Sequence, residues 1–172
     1  MTTSQLLTSE YNPFYQTYID KLPDEDLISI LKDQKKEFVI FLKGLKEEDL
    51  KHSYAEGKWT VAQSLQHVID TERIFQYRAL TIAREDLTPI AGFDQDAYVP
   101  VSKAERRSLS SLIKEFEVVR DAGIALFESF EEEMYCKIGE ASKSQLSPRA
   151  AGFISAGHQK HHLVLFKSHY GL

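Results

Sequence analysis

The chain has 172 residues, 42% of them hydrophobic and 27% charged, which suits one globular domain over residues 1–172 with its own apolar core. Its 21 basic and 26 acidic side chains leave a formal charge of −5 with no basic block, which argues against electrostatic capture of nucleic acid. No apolar run approaches the ~18 residues of a membrane span, Met1–Glu10 lacks the order of a secretion signal, and the lone Cys136 permits no internal disulfide. The expectation is a soluble cytoplasmic protein in which Cys136 is an incidental or buried thiol.

Helical periodicity runs nearly throughout, with no convincing alternating strand. After the turn at Asn12-Pro13, the aromatic residues Tyr11, Phe14, Tyr15 and Tyr18 suggest a short packed segment, and residues 1–22 are expected to lie against the main body. Pro23 suits the first turn of a long helix, along which Leu27, Leu31, Phe38, Leu42 and Leu45 recur at helical spacing, interrupted only by Gln34. After a loop at Tyr54–Lys58, Thr60-Val61-Ala62-Gln63 reads as a capping box. The helix it opens turns Leu65, Ile69, Phe75, Ala79 and Ile82 inward and ends before Pro89.

A long connection follows, Arg84 to Val101, with turn residues from Ile90 to Pro100. Ser102-Lys103-Ala104-Glu105 reads as a second capping box. It predicts a third helix buried through Leu109, Leu112, Phe116, Val119, Leu126 and Phe130, where Gly123 allows a close approach. A polar loop spans Lys137 to Leu146. Ser147-Pro148 then supplies an N-cap and a first-turn proline for a helix that runs close to Leu172. Four such helices, each with one apolar face, bury those faces as a four-helix bundle, and the long second connection argues against simple up-down-up-down order.

The chemistry-bearing residues are the histidines. His158, His161 and His162 fall within five residues near the C-terminus, and His67 borders the core face of its helix ~90 residues earlier. Imidazoles four apart on a helix share a face, and a third from another helix would complete the three-ligand set of catalytic zinc sites. A wheel at about 100° per residue puts His161 inside the arc of Phe153, Ile154, Val164 and Leu165, with His158 and His162 at its edge. Periodicity leaves the pairs His158/His162 and His158/His161 both open. Asp70 and Glu72 could orient an imidazole, although Glu72-Arg73 equally suits inter-helix ion pairs. Asp94 and Asp96 sit where an acid could face a substrate, yet aspartate also suits turns. His52 and His169 are assigned no role.

The run Lys58-Trp59-Thr60-Val61-Ala62-Gln63-Ser64-Leu65-Gln66-His67-Val68-Ile69-Asp70-Thr71-Glu72-Arg73 resembles the second-helix signature of the DinB-like superfamily. The loop Gly92-Phe93-Asp94-Gln95-Asp96-Ala97-Tyr98-Val99 and the ending Ala156-Gly157-His158-Gln159-Lys160-His161-His162-Leu163 resemble its later segments, in the same order. The resemblance implies an all-α bundle of up-down-down-up topology. It implies a divalent metal, zinc or nickel, on His67, His158 and His162, with His161 a packing or hydrogen-bonding neighbour. It further implies a metal-dependent enzyme, first a low-molecular-weight-thiol S-transferase and alternatively a hydrolase or a non-catalytic metal-binding stress protein. A small-molecule substrate, a thiol co-substrate and a homodimer complete the expectation, with His161, Asp94 and Asp96 as weaker catalytic candidates.

Overall fold

The computed structural model describes all 172 residues. A short N-terminal helix, α1 (Gln16–Ile19), precedes the first long helix, α2 (Leu27–Lys43). α2 starts four residues after Pro23, because Asp26 is its cap and accepts from the backbone N–H groups of Ile28 and Ser29 at 3.1 and 3.2 Å. α3 (Val61–Ala83) opens on the expected capping box. Gln63 N–H donates to Thr60 Oγ1 at 3.3 Å, and Thr60 N–H donates to the Gln63 amide oxygen at 2.9 Å.

The connection after α3 is partly ordered into a helix that periodicity alone missed, α4 (Gln95–Ser102), capped by Asp94. Ser102 ends this helix; it does not begin the next. Its hydroxyl turns back to the Val99 carbonyl, and Lys103 follows in the left-handed region at φ 54°. Ala104 is wholly buried in the core, so the chain is pinned there, and the third long helix, α5 (Leu109–Glu128), starts only at its cap Ser108. Phe127 is buried in α5, whereas Leu126 is only partly so. Gly123 does sit at a close approach, since a Cβ there would come within 2.5 Å of Gln76 Nε2 on α3.

After the short α6 (Glu132–Tyr135), the expected polar loop is a small antiparallel hairpin, β1 (Gly139–Ala141) and β2 (Ser144–Leu146). Its strands of three residues are too short for alternation to register. Ser142 and Lys143 turn the hairpin with φ of 53° and 63°, the backbone that two-residue hairpin loops require. Ile90 of the long connection bridges to Ala141, so hairpin and connection form one wall. α7 (Pro148–Ser168) starts as expected, with Ser147 accepting from Ala150 N–H at 3.0 Å.

The helix order follows from the contacts. α2 and α7 run parallel, since Leu27 meets the backbone of Gly152, Glu37 pairs with Lys160, and Phe41 stacks near Phe166. α3 runs antiparallel to α7, with Ser64 against His162 and His67 against His158. α5 runs parallel to α3, through Arg107 with Gln66 and Glu72 with Arg120. The four long helices therefore run up, down, down, up. No helix is long and apolar enough to cross a membrane.

The core is two apolar clusters, one around Leu31, Phe75, Phe127 and Phe153, the other around Phe38, Leu65, Phe116 and Phe166. Between them lies a buried polar layer to which every long helix contributes: Gln34, Glu72, Arg120, and His158 with Gln159. Arg120 is completely buried and clamps Glu72 through Nε at 2.6 Å and Nη2 at 2.9 Å, while Nη1 donates to the Leu31 carbonyl at 3.2 Å. Glu72 thus serves the inter-helix ion pair and does not reach His67. Arg73 pairs with Glu115, and Asp70 accepts from the Gln66 amide at 3.0 Å, so no acid orients an imidazole here.

Candidate metal centre

The histidines meet where α3 and α7 cross in this polar layer. Nitrogens of His67, His158 and His162 all lie within 4.8 Å of one another, and all three side chains are buried. Nε2 of His67 and Nε2 of His158 are 3.0 Å apart. Two imidazole nitrogens on a single zinc ion at ordinary bond lengths sit roughly 3.3 Å apart, so the spacing fits a shared cation. The outer nitrogens meet hydroxyls: His162 Nδ1 lies 3.0 Å from Ser64 Oγ, and His67 Nδ1 lies 3.4 Å from Thr71 Oγ1. With Nδ1 donating to these hydroxyls, the Nε2 lone pairs converge, as metal-ligating histidines require. Ser64 and Thr71 stand three residues before and four after His67, one turn away on each side.

Burial also sets the charge state. Loss of hydration, reinforced by the neighbouring His161, pushes the His67 pKa down to about 4. Burial and the other imidazoles hold His158 and His162 well below the usual histidine range. All three are neutral near pH 7, which is the ligating form.

His161 is only partly buried and lies outside the cluster. Its ring faces Tyr18 edge-on at 5.4 Å. The helical wheel mis-set the phase of α7 because Ala150–Gln159 is buried on every side, while Val164 is exposed. An arc drawn through Phe153, Ile154, Val164 and Leu165 therefore mixes a fully enclosed stretch with a half-exposed one. Tyr18 also packs edge-on against His158 at 5.4 Å. It reaches both rings because Gly157 lets α7 touch the chain at α1, where a Cβ would collide with the Tyr18 carbonyl. On the opposite side, Trp59 lies 4.9 Å from the His67 ring, and its carbonyl accepts from the Tyr170 hydroxyl at 2.8 Å.

A family model for the DinB superfamily matches residues 30–165, from the first turn of α2 to near the end of α7. The chain belongs to the DinB superfamily. Within it, the chain is 25% identical over 125 residues to an Oceanobacillus iheyensis protein whose name assigns it provisionally to the metal-dependent hydrolases; the match covers 72% of this chain and 71% of that one. Two solved structures share the fold. YfiT from Bacillus subtilis, described as a metal-dependent hydrolase candidate of unusual four-helix bundle topology, is 16% identical, with a TM-score of 0.70 over 97% of this chain and 93% of its own. A mycothiol-dependent maleylpyruvate isomerase is 12% identical, with a TM-score of 0.70 over 85% of this chain and 61% of its own.

Two cavities open on the histidines of this superfamily member. One, of about 200 Å³, reaches His67 and His158 and is closed by Tyr18, Phe75, Arg78 and Phe93. The other, of about 250 Å³, reaches His162 beside Ser64, Trp59 and Asp96. Asp94 lines neither; it is the α4 cap, accepting from Asp96 and Ala97 N–H. Cys136, expected to be incidental or buried, is exposed and remote from the histidines, lining a different cleft with Met1 and Arg149. Sequence reasoning missed Ser64, Thr71 and Arg78. Thr71 and Arg78 lie on the His67 face, four and eleven residues along α3, a signal readable once His67 is taken as the origin.

Proposed function

We propose that this protein is a metal-dependent enzyme that holds one divalent cation, zinc or nickel, on His67, His158 and His162 and transfers a low-molecular-weight thiol to a small electrophile. The observation that carries the reading is the convergence of three neutral, buried imidazoles, two of which, His67 and His158, face a cavity with no carboxylate in its lining. When bound, the cation supplies a Lewis acid that brings the pKa of a thiol or a water toward neutrality. Ser64 and Thr71 fix the orientation of two imidazoles, while Tyr18 and Trp59 exclude water from their edges. The thiol proton leaves to solvent, the sulfur lone pair forms the new C–S bond, and the electron pair of the broken bond departs with the displaced group.

The cavity chemistry favours a thiol over water. A thiol starts near pKa 8.5 and needs no dedicated base, whereas hydrolysis calls for a general base within hydrogen-bond reach, and no acid lines the cavity at His67 and His158. Hydrolysis keeps one supporting observation, Asp96 sharing the second cavity with His162. The open cavities themselves weigh against a purely non-catalytic metal binder.

The test is elemental analysis of protein stripped with chelator and reloaded with zinc or nickel, followed by conjugation assays with bacillithiol, mycothiol and glutathione. One equivalent of metal per chain, lost in His158→Ala, and conjugation with one thiol are expected. A chain that takes up no divalent ion and conjugates nothing overturns the proposal; metal uptake with hydrolysis alone moves the assignment to Asp96 and water.

A further inference from the structure

Arg78 is 2% exposed and lies in the wall of the cavity that ends at His67 and His158. Its Nη2 donates to Ser142 Oγ at 2.8 Å, but its Nε is buried with no acceptor, and no carboxylate pairs with the guanidinium. Arg120, equally buried, is clamped by Glu72. An unpaired buried cation is costly, and aromatic faces offset that only in part: Phe75 and Phe93 stack at 5.0 and 5.9 Å. Two segments converge to frame this group. The hairpin turn places Ser142 in the left-handed backbone region, and the Ile90–Phe93 stretch is bridged onto that hairpin.

We propose that Arg78 is the receptor for a substrate carboxylate, so that the cavity takes a small monocarboxylate whose other end reaches the histidine site. This rests on the metal-site reading for the far end of the ligand only. The guanidinium fork suits bidentate pairing with a carboxylate. A single cation in the lining matches one negative charge rather than a dianionic phosphate. His67 and Arg78 are separated by about 16 Å of helical rise, and Arg78 leans back over Phe75 toward the histidines. Both groups line one cavity of about 200 Å³, so a short linear chain of a few carbons joins its two ends.

The probes are mercaptopropionate, mercaptobutyrate, mercaptopentanoate and mercaptohexanoate, with mercaptobutanol as the neutral control. They are titrated into cobalt-loaded protein and read by the absorption change on sulfur ligation. Wild type binds the mercaptobutyrate or mercaptopentanoate best, about 10- to 100-fold tighter than mercaptobutanol. Arg78→Met removes that preference without changing metal content or mercaptobutanol affinity, and Arg78→Lys keeps part of it. In metal-free wild type, butyrate binds in isothermal titration calorimetry, and fails to do so in Arg78→Met. That arm holds even where no metal binds, so it separates this proposal from the metal reading. Ternary binding of butyrate with mercaptobutanol places the carboxylate on the acceptor molecule, and mutual exclusion places it on the thiol. Equal affinity of wild type for charged and neutral probes, together with a silent butyrate titration, overturns the proposal whether or not the variants fold.

Discussion

Lowering the pH of the metal-free protein perturbs the histidine site without changing an atom of its sequence. The His67 pKa stands at about 4 against an ordinary value of 6.5. At pH 5 an unfolded histidine is ~97% protonated and His67 only ~10%, so the unfolded chain binds more protons and gains stability relative to the native one. The sign is fixed: native stability is full above the unfolded pKa and is lost as pH falls from about 6.5 toward 4. His67 alone contributes a loss of about 2 kcal/mol between pH 7 and pH 5. His158 and His162 are shifted in the same direction and deepen it. The carboxylates held low by partners, Glu10 beside Arg149 and Glu115 beside Arg107, lose their contribution only below about pH 4.5, so the window above belongs to the histidines. Urea unfolding of chelator-stripped protein at pH 7, 6 and 5 measures the effect through the midpoint at constant m-value. Zinc should add stability at pH 7 that fades toward pH 5 as protons compete for the same nitrogens. A metal-free stability that is flat between pH 7 and 5 would refute the reasoning, because it would mean that the imidazoles are hydrated and charge freely in the native state.

Three further outcomes are expected. Ser64→Ala removes the hydroxyl that meets His162 Nδ1 and should weaken metal affinity about 10- to 100-fold, read by competition with a chromophoric chelator, while leaving the fold unchanged by circular dichroism. Arg120→Met strands Glu72 in the core and should cost about 3–5 kcal/mol in urea unfolding, most of it regained in the double variant Glu72→Leu/Arg120→Met. Gly157→Ala drives a methyl into the Tyr18 carbonyl; it should cost about 1–3 kcal/mol and speed proteolysis of the segment before α2.

The four long helices were legible because each carries an apolar stripe and a local start signal, as at Thr60–Gln63 and Ser147-Pro148. The boundaries that failed did so where tertiary contacts outweigh local signals. Ser102 has the spacing of a cap, but burial of Ala104 fixes the turn elsewhere. The hairpin at Gly139–Leu146 is too short to carry a period. The histidine cluster was visible as residues but not as a pairing. The wheel placed His161 inward because it took Val164 as a core marker, and resemblance to relatives singled out the trio that the structure gathers. Arg78 was silent for a different reason. Charge in a sequence defaults to the surface, and only the fold reveals that its carboxylate partner is missing.

The up-down-down-up order puts α3 and α7 side by side although all of α4, α5, α6 and the hairpin intervene. His67 must therefore wait for partners 91 and 95 positions further along the chain. Such a long loop closes slowly compared with local helix formation. A chain whose α7 has not yet docked would present only one of the three cluster histidines, His67, and no chelate. An ion held by these three histidines would in this sense reward only the molecule in which α7 has docked on α3, and would bolt the two helices together.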